Sequence, residues 1–186
     1  AEPSFSHIPL IDSDPMTAKM VARIKEAVAK KQRILVYGDY DCDGVMSTSI
    51  MVKTLRKMGA RVASYLPSRY LDGYGLTLEN AKKIAPAGYS LIITVDNGIA
   101  AFEPIEFLKK EKIDLIVIDH HEIQKDLPSA YAIIHPTTLK YEEVPVSAGY
   151  LSFLCSLALL KEKDDYLLSL GALSTLSDMM PLKAYN

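Results

Sequence analysis

The feature that most limits the fold of this chain is a series of short apolar runs that each end in acidic or imidazole side chains. The first run, at 34–37, is followed by a glycine and then by aspartates at positions 39, 41 and 43. Two later runs end in Asp96 and in Asp119-His120-His121. Segments with helical spacing separate the runs, which predicts right-handed βαβ crossovers. In such sheets, ligands bind beyond the carboxyl ends of the strands.

The predicted fold class is therefore α/β, with a doubly wound, mainly parallel five-stranded sheet that carries helices on both faces. The strands are predicted at 34–37, 61–66, 89–95, 113–118 and 132–134. The helices are predicted at 15–28, 45–58, 78–85, 100–111, 147–161 and 164–176. Residues 1–14 contain two prolines and are predicted to form an irregular lead-in.

Composition narrows the class of protein. The 186 residues are 49% hydrophobic and 24% charged, as in a soluble globular protein, and we expect no membrane span. Two cysteines do not make a disulfide framework, so a cytoplasmic location is the simplest expectation. The net charge of −2 excludes a strongly basic nucleic-acid binder. This net charge is compatible with a phosphate-containing substrate if bound cations offset part of the acidic charge.

The three aspartates after the first run indicate a cation site. Crowded carboxylates repel one another, and folding selects against them unless a cation lies among them. The alternative is a solvated turn, because Asp and Gly are ordinary turn residues. The convergence of three acidic strand ends on one sheet edge favours a shared ligand. Carboxylates with an imidazole suit a pair of Mn²⁺ or Mg²⁺ ions, with Mn²⁺ preferred, and such pairs hydrolyse phosphate esters and anhydrides.

Four stretches of the sequence carry a family resemblance. They are Asp41-Cys42-Asp43-Gly44, Thr94-Val95-Asp96-Asn97-Gly98, Asp119-His120-His121 and the segment 171–182. In this order they resemble the motifs of the DHH phosphoesterase superfamily. The segments 38–44 and 67–76 are most similar to RecJ-type single-strand-specific 5′→3′ exonucleases. The resemblance implies a DHH catalytic domain over 15–186. Relatives also carry a C-terminal substrate-binding domain, which we expect this chain to lack.

The resemblance also implies roles for individual residues. Six resemble cation ligands: Asp39, Asp41, Asp43, Asp96, His120 and Asp178. Asp39 and Asp41 correspond to the first cation, Asp43, His120 and Asp178 to the second, and Asp96 to the bridge between them. His121 corresponds to a residue that contacts the scissile phosphate and completes the catalytic set. Asp119 is better placed to orient an imidazole N–H than to bind a cation. Many relatives have a histidine ligand at the position of Tyr37. In RecJ-type relatives, and in this chain, the aspartate at position 39 corresponds to that ligand instead.

Three more residues are candidates for substrate binding. Arg69 is predicted to clamp a phosphate, because a guanidinium pairs with two phosphate oxygens; the alternative is an ordinary surface arginine. Tyr74 is predicted to stack on a base, with loop packing as the alternative. Ser47 is predicted to hold phosphate at a helix N-terminus or, equally, to be a capping residue.

The resemblance implies a function in DNA repair and recombination, as a metal-dependent 5′→3′ exonuclease core acting on single-stranded DNA. One alternative is a related phosphodiesterase that hydrolyses short oligonucleotides, cyclic dinucleotides or pyrophosphate. Another is a non-catalytic scaffold in a replication or repair assembly. Scaffolds typically lose metal ligands, whereas this chain retains the full set of motif residues.

Overall fold

The computed structural model describes residues 8–70, 73–140 and 144–183, so residues 1–7 of the predicted lead-in lie outside the described part. One five-stranded sheet organises the domain, and all of its strand pairs are parallel. The strands are β1 (Arg33–Tyr37), β2 (Arg61–Tyr65), β3 (Leu91–Val95), β4 (Asp114–Ile118) and β5 (Ala132–Ile134). Their order is β2-β1-β3-β4-β5, so the chain reverses direction across the sheet between β1 and β3. This is the switch point where α/β sheets bind ligands.

Helices cover both faces of the sheet, as the sequence predicts. They are α1 (Pro15–Ala29), α2 (Cys42–Lys57), α3 (Leu78–Ile84), α4 (Phe102–Lys110), α5 (Pro136–Leu139), α6 (Ala148–Leu160) and α7 (Asp165–Ser177). Helix α5, which is not among the predicted helices, is a single turn whose N-cap is the buried His135. The His135 side chain accepts a hydrogen bond from the Thr137 amide.

Two apolar cores lie on opposite faces of the sheet because successive strand side chains point in opposite directions. Ile34 and Val36 of β1 belong to the core beneath α1, α2 and α6. Leu35 and Tyr37 belong to the core beneath α3 and α4. All strands except the edge strand β2 are buried on both faces along most of their length, which explains why they are almost continuously apolar.

Helix α7 forms an outer layer over α2 and α6. Phe153 of α6, Leu167 and Leu170 of α7 and Ile50 of α2 form a third apolar cluster between these helices. Helix α6 is therefore buried on nearly all sides, which accounts for its uniformly apolar sequence. Within the described residues, no helix is both long and apolar enough to cross a membrane. The packing of α7 determines where its C-cap residue, Asp178, lies.

Candidate metal centre

The first three aspartates lie in and after the tight turn that joins β1 to α2. Asp41 is the N-cap of α2, and its Oδ1 accepts a hydrogen bond from the Gly44 amide at 2.9 Å. The predicted start of this helix at Val45 is therefore wrong. The helix begins at Cys42, because the side chain of Asp41 caps the turn that contains Asp43. Asp43 thus lies at the positive end of the helix, which suits a carboxylate.

Glycine at position 44 is required by close packing inside this turn. A Cβ atom at Gly44 would lie only 2.5 Å from the carbonyl oxygen of Asp39 and 2.7 Å from its Cα. Asp39 is 1% exposed, and its Oδ1 accepts a hydrogen bond from the Tyr40 amide at 2.7 Å. Burial raises the pKa of Asp39 above its ordinary value. The turn therefore holds a buried carboxylate close to the first turn of α2.

Asp96 follows β3 in a left-handed backbone conformation, with φ of 61°. Few residues adopt this conformation, and in functional sites it marks a position that its surroundings enforce. The side chain of Asn97 donates hydrogen bonds to the carbonyls of Val95 at 2.9 Å and Tyr37 at 3.3 Å, which fixes the turn to β1. Burial, with Asp43 and Asp41 nearby, raises the pKa of Asp96 to about 10. An ionised Asp96 therefore requires a compensating positive charge.

Asp119 follows β4 and is 1% exposed. Its Oδ2 accepts a hydrogen bond from the Ile99 amide at 2.9 Å, and its Oδ1 lies 2.7 Å from Nδ1 of His121. Burial favours protonation of Asp119, but its hydrogen bonds and the His121 charge outweigh burial and lower its pKa. The hydrogen bond to Asp119 raises the pKa of His121. Asp119 thus has the geometry of an orienting acceptor, and the imidazole that it orients is that of His121.

Asp178 reaches the same region from the outer helix layer, at the C-cap of α7. Its Oδ2 lies 3.6 Å from Nε2 of His120. This oxygen is buried, and among the described residues it has no hydrogen-bond partner. A buried carboxylate oxygen without a donor is costly unless a ligand contacts it. Asp178 therefore points to a cation close to His120.

The structure brings all six predicted ligands together in two adjoining groups. In each group the ligand atoms lie within 4.8 Å of one another, and the members are Asp39, Asp41 and Asp96 in one and Asp43, His120 and Asp178 in the other. Asp96 and His120 also form a group of this kind with His121. Nε2 of His120 lies 3.2 Å from Oδ1 of Asp96 and 3.5 Å from Oδ2 of Asp43, so the groups meet at Asp96. The residues fit two hard divalent cations with Asp96 between them.

The hydrogen bonds that hold Asp43 were not predicted from the sequence. Its Oδ2 accepts a hydrogen bond from the Ala148 amide and its Oδ1 one from the Gly149 amide, each at 2.8 Å. The hydroxyl of Ser174 in α7 also donates to Oδ1. The N-terminus of α6 and Ser174 of α7 thus bind the carboxylate of Asp43, which faces His120. We call these three hydrogen bonds the Asp43 clasp. The only signal in the sequence is Ser147 followed by two small residues at the start of an apolar helix.

The three predicted substrate-binding residues occupy different environments. The exposed Arg69 lies with its guanidinium carbon 5.6 Å from the ring centre of Tyr40, beside the aspartate turn. Tyr74 lies next to His121, with its hydroxyl oxygen 2.8 Å from Nε2. Ser47 is fully buried in α2 and donates a hydrogen bond to the Gly44 carbonyl. In this conformation Ser47 has no exposed surface for a phosphate, and the capping alternative is wrong as well, because Asp41 is the N-cap of α2 and Ser47 lies within the helix.

The domain has a parallel sheet and gathers acidic and imidazole side chains at the carboxyl edge of that sheet. These features place it in the class of candidate two-cation phosphoesterases. A family comparison makes the assignment specific. The model of the DHH family, N-terminal domain, matches residues 33–170. The chain belongs to the DHH family, and the predicted resemblance is confirmed.

Individual relatives agree with this assignment. The chain is 43% identical over 169 residues to the single-stranded-DNA-specific exonuclease RecJ of Bacillus subtilis, and the match covers 88% of the chain and 21% of that relative. The chain therefore spans about a fifth of this relative's length. A crystal structure of exonuclease RecJ bound to manganese superposes with a TM-score of 0.88 and 29% identity, covering 98% of this chain and 47% of that one. RecJ from Thermus thermophilus in complex with Mn²⁺ gives a TM-score of 0.83 and 27% identity, covering 97% and 27%.

Proposed function

We propose that this chain forms the catalytic core of a metal-dependent exonuclease that degrades single-stranded DNA from its 5′ end, in DNA repair and recombination. The observation that carries the proposal is the pair of adjoining ligand groups that meet at Asp96. The name of the Bacillus subtilis relative supports single-stranded DNA as the substrate. The match of the DHH family model to residues 33–170 supports a catalytic domain in the main part of the chain, and we propose 15–186 as its bounds.

The proposed cofactors are two divalent cations, Mn²⁺ or Mg²⁺. The two ligand groups described above would hold one ion each, with Asp96 shared, and the imidazole of His120 favours Mn²⁺. When bound, such a pair activates a water molecule and stabilises the charge that develops on the phosphate. The manganese-bound RecJ structures support this choice of metal.

Three side chains near the ligand groups are placed to bind or orient an anionic substrate: Asp119, His121 and Arg69. Asp119 holds His121 through Nδ1, so that Nε2 points away from the buried carboxylate. His121 is 43% exposed and lies next to His120, with their ring centres 4.7 Å apart, so its imidazole ring is placed beside a phosphate held at the ligand groups. Arg69 is the proposed phosphate clamp on the exposed side of the aspartate turn.

We also propose a cytoplasmic location. Both cysteines are free thiols: Cys42 is exposed and Cys155 is buried. An exposed unpaired thiol suits a reducing compartment.

The test is hydrolysis of 5′-labelled DNA by the purified protein with Mn²⁺. Single-stranded DNA of about ten or more nucleotides should be shortened from its labelled end, while a blunt duplex of the same sequence should not. His120→Ala should be inactive, because it removes the imidazole between both ligand groups, and Asp126→Asn should serve as a matched control at an exposed position.

Three results would contradict the proposal. Turnover of pyrophosphate or di- to tetranucleotides alone would identify a related phosphodiesterase instead. Equal degradation of duplex DNA would refute strand specificity. Binding of fewer than one Mn²⁺ ion per chain, without any hydrolysis, would indicate a scaffold.

A further inference from the structure

The hydroxyl of Tyr74 closes a chain of hydrogen bonds that begins at the buried carboxylate of Asp119. Oδ1 of Asp119 lies 2.7 Å from Nδ1 of His121, and Nε2 of the same ring lies 2.8 Å from the Tyr74 hydroxyl oxygen. Nδ1–H is donated to Asp119, so Nε2 accepts a hydrogen bond from the Tyr74 hydroxyl in the neutral ring and donates one to it in the protonated ring. The Tyr74 and His121 rings meet edge to face, with centres 5.9 Å apart.

A second tyrosine anchors the backbone next to Tyr74. The fully buried Tyr37 donates its hydroxyl hydrogen to the Gly75 carbonyl at 3.1 Å and accepts a hydrogen bond from the Asn80 side chain at 3.0 Å. Gly75 has φ of 64°, and an added Cβ would lie 3.4 Å from Cβ of Asn97, beside the Asp96 turn. The backbone that carries Tyr74 is thus fixed to β1 and lies against the turn after β3.

We propose that Tyr74 is a positioning residue: its hydroxyl, fixed through Gly75 by Tyr37, holds the His121 imidazole in its orientation beside the metal centre. His121 is 43% exposed and otherwise has one side-chain hydrogen bond among the described residues, the one to Asp119. A single bond at Nδ1 leaves the ring free to swing about that contact. A second bond at Nε2 fixes both ends of the ring. This also gives Tyr37 a function at a position where many DHH relatives have a histidine ligand.

This role differs from base stacking, which was predicted for Tyr74 from the sequence. Stacking uses the ring, whereas positioning uses the hydroxyl, and Tyr74→Phe separates the two because it keeps the ring. Tyr89→Phe is the matched control. It also removes one tyrosine hydroxyl, but Tyr89 precedes β3 at the opposite edge of the sheet, where its ring lies against Arg33.

The first measurement is steady-state hydrolysis of single-stranded DNA, and this part of the test rests on the proposed function. Tyr74→Phe should lower kcat about three- to tenfold and leave KM within about twofold, the effect expected when one exposed hydrogen bond that orients a reacting group is lost. Tyr89→Phe should match the parent protein. Parent-like kcat for Tyr74→Phe, or a rise in KM without a fall in kcat, would overturn the proposal in favour of a stacking or packing role.

The second measurement does not depend on activity. It uses nitrogen-15 spectra of the imidazole rings in the metal-free protein. These spectra contain few signals, because the chain has only four histidines. Tyr74→Phe should shift the Nε2 resonance of His121 and leave that of His135 unchanged, because His135 contacts the His121 carbonyl and not its ring. Tyr37→Phe should shift the same His121 resonance, because it releases Gly75.

The two measurements separate the failure of this inference from the failure of the proposed function. A His121 resonance that is identical in the parent and in Tyr74→Phe overturns the positioning role whatever the enzyme hydrolyses. A shifted resonance in a protein that does not hydrolyse DNA supports the positioning role and refutes the proposed function alone.

Discussion

Replacing Asp96 by asparagine should make the metal-free protein more stable at neutral pH while it abolishes hydrolysis. The substitution keeps the size of the side chain and removes its charge. Asparagine also tolerates the left-handed backbone that Asp96 adopts at φ of 61°, so backbone strain does not obscure the result. The two opposite effects are expected because Asp96 is a buried carboxylate crowded by Asp43 and Asp41, whose charge is useful only when cations are bound.

The sign and size of the effect follow from the raised pKa of Asp96. Burial, together with Asp43 and Asp41, raises the pKa in the folded protein from 3.8 to about 10. A group whose folded pKa is raised contributes its full stability below pH 3.8 and loses it as the pH rises toward about 10. The parent should therefore lose stability relative to Asp96→Asn across this range. At pH 8 we expect a difference on the order of 2–4 kcal/mol, or roughly 5–15 °C in Tm.

The assay is thermal unfolding at pH 4 and pH 8 in the presence of a chelator, repeated with Mn²⁺ at pH 8. Without metal, Asp96→Asn should unfold at a higher temperature than the parent at pH 8 and at a similar temperature at pH 4. With Mn²⁺, the parent should gain stability and the variant should gain much less. Asp126→Asn, at an exposed position, should behave like the parent throughout. A metal-free Asp96→Asn protein that is less stable than the parent at pH 8 would refute carboxylate crowding at this site.

Three further predictions concern the Asp43 clasp, the phosphate clamp proposed for Arg69 and the cation that Asp178 would bind. Gly149→Ala should lower Tm by about 3–10 °C, because its Cβ would lie 2.2 Å from the Ser174 hydroxyl. Gly171→Ala is the control: the nearest atom to its Cβ is 3.5 Å away, so this variant should be neutral or slightly stabilising. Equal effects of the two substitutions on Tm would contradict the clasp. Arg69→Ala should raise KM for DNA about tenfold with little change in kcat, and an unchanged KM with lost kcat would contradict a clamp. Asp178→Asn should weaken one Mn²⁺ site and leave the other, as measured by calorimetric titration; loss of both sites or of neither would contradict its assignment.

The positions of the strands and of most helices could be predicted from the sequence, because all strands except the edge strand β2 are apolar on both faces and end abruptly in polar residues. The convergence of Asp43, Asp96 and His120 followed from the same logic, since the carboxyl ends of parallel strands share one edge. Asp178 was different. It lies on α7, an outer layer whose packing on α2 and α6 no local pattern encodes, and only the family resemblance assigned it to the centre.

Contacts made by small side chains and backbone groups could not be predicted. The clasp on Asp43 depends on two amides of α6 and the Ser174 hydroxyl, which become neighbours only through the packing of α6 and α7. Pattern reasoning also placed the start of α2 three residues late, because a carboxylate that caps a helix resembles a loop residue in sequence. The burial of Ser47 follows from this early start, since the residue lies within the helix and not at its end.

The most direct test of the central claim is the number of Mn²⁺ ions bound per chain, measured by titration of the metal-free protein and detected by electron paramagnetic resonance. We expect two ions per chain, with the spin coupling of a close pair bridged by one carboxylate, and loss of that coupling in Asp96→Asn. Fewer than one ion per chain, or two uncoupled ions that Asp96→Asn leaves unchanged, would contradict it.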